Sequence, residues 1–302
     1  MKRVLCVFII CITLTLNGCE RHTQETVFSM DTVMDLQIWG ADSQKAVQAV
    51  RDLITDMENT WSAHAPDSDL NRGVLPEDSL LEQIFELKER TGGAFDPQLY
   101  ALSKLWGFPS KTYRIPSQEE INAAREIKQW DLGGAVKGYA GDLAVEQLSG
   151  LDVDRAILNL GGNIQTYGNK PDGTPWSIGI QNPDGGDYVC VVSVMGTMSV
   201  VTSGDYQRYF EKDSVRYHHI LDPKTGMPAR SGLRSVTVIC RDGLTADALS
   251  TALFVMGLEE GSRLWRQSDD FEAVFLTVEG KVYATAGAAV SGCEYEVIFR
   301  EN

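Results

Sequence analysis

The hydrophobic period of this chain switches repeatedly between two and about 3.6 residues, which confines it to folds that mix strands and helices. Thr32 to Trp39 alternates, with Met34, Leu36 and Ile38 set against Asp35 and Gln37, as a half-buried strand does. Ala46 to Met57 and Leu80 to Arg90 have helical spacing, and Thr245 to Met256 is a strongly amphipathic helix. Ala135 to Leu148 reads as a helix entered through Gly133-Gly134. Strand-like runs lie at Ala156 to Leu160, Trp176 to Ile180, Tyr188 to Val194 and Ser235 to Cys240, and again at Ala273 to Val278, Lys281 to Ala284 and Tyr295 to Phe299. The two element types do not alternate strictly. The expected class is therefore α+β, with mixed, largely antiparallel sheets and packed helices. No repeat, low-complexity run or linker divides the 302 residues, and 43% hydrophobic content is enough for one large core.

The N-terminus carries an address. Lys2 and Arg3 precede a 13-residue apolar run, Val4 to Leu16. That is too short for a stable membrane span and suits a signal-peptide core. It ends in Leu16-Asn17-Gly18-Cys19, the form of a bacterial lipobox. Residues 1–18 are thus expected to be removed and Cys19 to carry a lipid, with the polar residues 19–26 as a tether and 27–302 as the domain. The expected location is extracytoplasmic, lipid-anchored to a bacterial membrane. The plainer alternative is a secretory signal followed by an incidental cysteine.

Net charge is −15, which argues against nucleic acid as a partner and means that a phosphate-bearing ligand needs local lysine, backbone N–H groups or a metal ion. Beyond Cys19, three cysteines remain: Cys190, Cys240 and Cys293. The odd number and the lack of any C-x-x-C pair argue against a disulfide framework and against zinc. Cys190 and Cys240 sit in strand-like runs and are expected to act as small buried hydrophobes.

Four segments could carry chemistry. Asp131 to Tyr139 places two glycines before a helix with Lys137 in its first turn, a workable diphosphate cradle or simply a Gly-rich strand-to-helix turn. Asn159 to Ile164, with Gly161-Gly162, reads as a hairpin turn or as backbone packed closely against a flat ring. Tyr217 to Met227 brings His218 and His219 to the end of a strand before an Asp-Pro turn, where a histidine can act as general base or be satisfied by its neighbours. In Ala246 to Ala252, Asp247 and Thr251 share a helix face. Their hard oxygens suit Mg²⁺, but an N-terminal Asp and a back-bonded Thr are ordinary helix features too.

In their order and spacing, these segments make the chain resemble the ApbE family over roughly residues 27–290. Gly93-Ala94-Phe95-Asp96-Pro97, Leu105-Trp106-Gly107-Phe108 and Thr202-Ser203-Gly204-Asp205-Tyr206 also match. The resemblance implies a single T-fold-related domain with FAD in a central cleft. It also implies an FAD:protein FMN transferase that moves FMN onto a Thr of an acceptor flavoprotein and releases AMP. Asp131, Lys137, Ala94, Phe95, Asp96, Leu221, Gly161, Gly162, Met30 and His64 are then the FAD contacts. Gly134, Asp247 and Thr251 are the Mg²⁺ ligands and His219 is the base. The implied acceptor carries a D/S-G-A/S-T-type motif and is a respiratory or other extracytoplasmic protein.

Three departures stand on the FAD side. The family's Met-Gly-Thr is Met30-Asp31-Thr32 here, an aromatic position is His64, and a later asparagine of the same stretch is Val74. Two further activities fit the same residues: an FAD pyrophosphatase releasing FMN and AMP, and a non-catalytic FAD-binding lipoprotein. Intact Asp247, Thr251 and His219 speak against the latter, since a binder needs no base.

Overall fold

In the computed structural model, which describes residues 21–63 and 65–300, the alternating Thr32–Trp39 segment is a strand. It pairs antiparallel with His22–Ser29 through a two-residue turn in which Met30 and Asp31 both take left-handed φ, 51° and 59°. That is the turn whose twist matches a hairpin. His22–Ser29 is β1 and Thr32–Trp39 is β2. β1 begins inside the stretch assigned to the tether. Its largely polar, half-exposed sequence hid it, because only one face meets the protein. The signal peptide, Cys19 and His64 lie outside the described residues.

The chain continues as α1 (Ser43–Trp61), α2 (Asp78–Arg90), α3 (Tyr100–Trp106), α4 (Gln118–Arg125) and α5 (Val136–Ser149). Strands β3 (Arg155–Asn159), β4 (Asn163–Tyr167), β5 (Trp176–Gln181), β6 (Tyr188–Val194), β7 (Ser199–Gly204), β8 (Tyr209–Lys212), β9 (Val215–His218) and β10 (Leu233–Cys240) follow. Helix α6 (Gly243–Arg266) leads to β11 (Phe271–Thr277), β12 (Val282–Thr285), β13 (Val290–Ser291) and β14 (Glu296–Ile298). α6 runs past the expected end at Met256, but Gly257 (φ 81°, ψ 178°) breaks its helical geometry there.

Nine strands form one sheet in the order β1-β2-β3-β4-β7-β10-β11-β12-β14, antiparallel except for the last pair. Its two faces are covered differently. Helices α1, α5 and α6 pack on one, burying Leu36, Ile54, Ala140 and Leu158 in a shared cluster. The small sheet β13-β6-β5 covers the other, where Trp176 and Val192 meet Val200, Ile239 and Val274. Central β10 is buried along nearly its whole length on both faces, Ser235 and Thr237 included, and so does not alternate like a half-buried strand. A separate cluster of Leu102, Trp106, Phe108 and Ile121 seats α3 and α4 beside the β8–β9 hairpin.

Candidate active site

Gly138 and Gly243 decide how closely α5 and α6 approach. A Cβ on Gly138 would sit 1.9 Å from the Gly243 carbonyl oxygen, so only glycine fits there. The contact is reinforced twice. The Asp142 carboxylate on α5 accepts from the first backbone N–H groups of α6, Gly243 at 2.7 Å and Leu244 at 2.9 Å. In return the Gly138 N–H donates to Asp247 Oδ2 at 3.0 Å. Burial pushes the Asp142 carboxyl up to about 6, opposed by those two N–H donors and helped by the nearby Asp242 and Asp247 charges.

This junction carries the hard oxygens. Asp247 is 3% exposed and its Oδ2 lies 3.7 Å from Lys137 Nζ. Lys137 Nζ also donates to the Gly133 carbonyl at 3.1 Å. Thr251 Oγ1 lies 3.3 Å from Ser203 Oγ, and a Cβ added to Gly134 would come 3.5 Å from it, so the Gly134 backbone sits against this hydroxyl. Asp131 Oδ1 accepts from the Gly133 N–H at 3.1 Å and pins the start of the glycine turn.

The β3–β4 hairpin brings the second glycine pair, with φ of 70° at Gly161 and 95° at Gly162. A Cβ on Gly161 would strike the Thr32 side chain at 2.3 Å. The segment is a hairpin turn, and its glycine backbone lines the cleft. Beside it, Asn163 is 5% exposed and its Nδ2 has no hydrogen-bond partner.

The adjacent histidines separate where β9 ends, His218 closing the strand and His219 following it. His218 turns into the core, where Nε2 meets the Ala229 carbonyl at 3.0 Å and the ring packs edge-on against Phe254. His219 faces the cleft. Its Nδ1 is 3.3 Å from the Arg208 carbonyl, which can only accept, so Nδ1 carries the proton and Nε2 is left as an acceptor. Burial, then the charges of Arg208, His218 and Lys137, lowers its pKa to about 3, so it is neutral at physiological pH.

One cleft of about 810 Å³ joins these parts. Its lining includes Met30, Ala94, Phe95 and Asp96, then Asp131, Gly134, Lys137, Gly161 and Gly162, and finally His219, Leu221, Asp247 and Thr251. Every site residue expected from the sequence and described by the structure is therefore in the same cleft. Asp96 is held by Lys88 Nζ at 2.9 Å.

The family model for ApbE matches residues 30–275. The chain belongs to the ApbE family. Curated relatives named FAD:protein FMN transferase include one from Treponema pallidum, 33% identical over 82% of this chain and 81% of its own length, and one from Vibrio cholerae, 31% identical over 82% and 86%. The crystal structure of the ApbE protein from Thermotoga maritima is 30% identical and superposes with a TM-score of 0.79, covering 87% of this chain and 96% of that one. Membership makes the chain an enzyme of the transferase class, on the α+β fold of the ApbE structures.

Lys111, Tyr113 and Arg208 also line the ApbE cleft, and sequence reasoning passed over them; Asp31 stood there only as a departure. Asp31 pairs with Lys111 Nζ at 3.0 Å and with Arg208 at 3.7 Å, bridging three separate loops at the cleft. Tyr113 stacks on Phe210, and Phe210 on Tyr217, at 5.0 and 5.1 Å between centroids. Arg208 had a signal, since it follows the matching Thr202–Tyr206 stretch by two residues. Lys111 and Tyr113 had none.

Proposed function

We propose that this protein transfers FMN from FAD to a threonine side chain of an acceptor protein as a phosphoester and releases AMP. The observation that carries this reading is the one cleft lined by Asp247, Thr251 and Gly134 together with Lys137 and a neutral His219. A cleft of about 810 Å³ suits a dinucleotide. The unpartnered Asn163 amide in its wall suits a flavin carbonyl.

The donor set also fits Mg²⁺. Among the described residues no group of three or more His, Cys, Asp and Glu side chains could hold a metal. Asp247, Thr251 and the Gly134 carbonyl offer one charge and three hard oxygens, which suits an ion that keeps several positions for phosphates and water. Bound there, Mg²⁺ would offset charge on the diphosphate. Lys137 adds a second positive group at the same wall. The task left to His219 is to take the threonine proton: Arg208 holds Nδ1–H, and Nε2 faces the acceptor as the oxygen–phosphorus bond forms and AMP departs. The anionic diphosphate counters the Arg208 and Lys137 charges that depress this histidine, which raises its basicity when substrate is present.

The lipobox ending at Cys19 supports an extracytoplasmic, lipid-anchored protein, and so an extracytoplasmic acceptor. The test is mass spectrometry of a reaction containing lipid-free protein, FAD, Mg²⁺ and a peptide with a D-G-A-T-type motif. An FMN adduct on the threonine with AMP released supports the transferase. Free FMN and AMP, with both the peptide and a native acceptor unmodified, would replace it with the pyrophosphatase. Unchanged FAD would leave only binding.

A further inference from the structure

The cleft uses none of the three cysteines of the domain, and the fold brings two of them together. Cys190 lies on β6, 2% exposed, in the cluster between the sheets. Two-residue β13 pairs with β6 in the register Val290↔Val192 and Ser291↔Val191. The next step of that ladder would set Gly292 against Cys190. Gly292 instead takes a left-handed φ of 82°, and Cys293 packs onto the same apolar cluster as Cys190. Both are free thiols in this structure, packed in the same cluster and close enough that Cys293 raises the cost of ionising Cys190. Cys240 is elsewhere, with its thiol on the Asp270 carbonyl.

We propose that Cys190 and Cys293 form a disulfide in the exported protein, stapling the segment between β12 and β14 to the small sheet. This rests on the extracytoplasmic location proposed above, where disulfides persist. An odd cysteine count argued against a framework of bridges, but it allows one bridge and one buried thiol. The oxidant is the disulfide of an extracytoplasmic thiol–disulfide oxidoreductase. Cys293, the less buried, attacks it to form a mixed disulfide and release one thiolate. Cys190 then attacks the Cys293 sulfur and expels the second. Two protons and two electrons leave with the oxidant, now a dithiol. Burial pushes the folded Cys190 thiol up to about 12, so its step belongs to folding, before β6 is covered. The bridge closes a loop of about 100 residues, a length at which cross-linking restricts the unfolded chain strongly.

The test uses the full chain with its own leader. Membranes are dissolved in SDS containing N-ethylmaleimide and no reductant, so that buried thiols react too, and the protein is digested and mapped by mass spectrometry. A cross-linked Cys190–Cys293 peptide, lighter by two hydrogens than the reduced pair, with Cys240 alkylated, is expected. Cys190 and Cys293 both alkylated in protein recovered from the extracytoplasmic fraction would overturn the bridge. If the protein fractionates with the cytosol, the location fails separately. Purified chain, unfolded and refolded in glutathione redox buffer, then decides the pairing: the cross-link upholds it and its absence overturns it. Cys293→Ser should melt on the order of 5–10 °C below oxidised wild type and together with reduced wild type, with FMN transfer unchanged. Equal melting of the variant and oxidised wild type would overturn the staple.

Discussion

Asp247 and His219 show what single residues contribute and how far each was legible. Asp247 is buried against the Gly138 N–H and Lys137, so its carboxylate is held in one place before any ligand arrives. Asp247→Ala should reduce Mg²⁺-dependent AMP release by at least about 10²-fold while FAD binding largely survives. A Mg²⁺ titration of AMP release checks this, and full activity in the variant would remove the metal assignment. His219→Ala should slow transfer by about 10²–10⁴-fold, with FAD affinity changed much less. Single-turnover transfer rates set beside FAD titration separate the two, and loss of binding alone would refute the base role. The sequence singled out the histidine pair, and the structure sends His218 into the core and His219 to the cleft. It did not show the Arg208 carbonyl that sets the His219 tautomer, because that contact joins residues 11 positions apart across a hairpin.

At the scale of elements, the site depends on the α5–α6 junction. Gly138→Ala would push a methyl into the Gly243 carbonyl and drive the helices apart. The expected loss is about 1–3 kcal/mol of stability together with a raised Mg²⁺ requirement. Thermal unfolding and the Mg²⁺ concentration for half-maximal activity measure the two parts. Asp142 makes a prediction in pH. Its folded pKa, about 6, lies above the ordinary carboxylate value of 3.8. The folded state therefore binds the extra proton between these values, and this group's contribution is present below about pH 4 and lost as pH rises through about 6. The change is roughly 3 kcal/mol. Asp142→Asn should flatten that part of the stability-versus-pH curve, measured by denaturant unfolding from pH 4 to 7. An unchanged slope would assign it to other groups. Strong periodicity made α1, α2 and β2 readable. The short strands β8, β9 and β13 were not, since two to four residues carry too little pattern and exist through their partners.

For the whole molecule, one sheet separates a helical face, which carries the α5–α6 part of the cleft, from a face closed by the small sheet. Among the described residues no helix is long and apolar enough to cross a membrane. In the proposed reading, attachment is through the lipid on Cys19, with β1 starting three residues later. Cys19→Ser should give a soluble protein of unchanged transfer activity. Fractionation followed by an FMN-transfer assay checks it, and continued membrane attachment would count against the anchor.

Chemical identity came from sequence. Gly133-Gly134 with Lys137, the i, i+4 pair of Asp247 and Thr251, and His219 before its Asp-Pro turn are local patterns, each open to a plainer reading alone, whose order and spacing together carried the resemblance to the ApbE family. Proximity came from tertiary structure. Asp142 capping a helix 101 positions away, Asp31 joining Lys111 to Arg208, and Cys190 meeting Cys293 link residues far apart in the chain. No periodicity encodes such contacts, because they arise only when the strands pair and the buried faces close on one another.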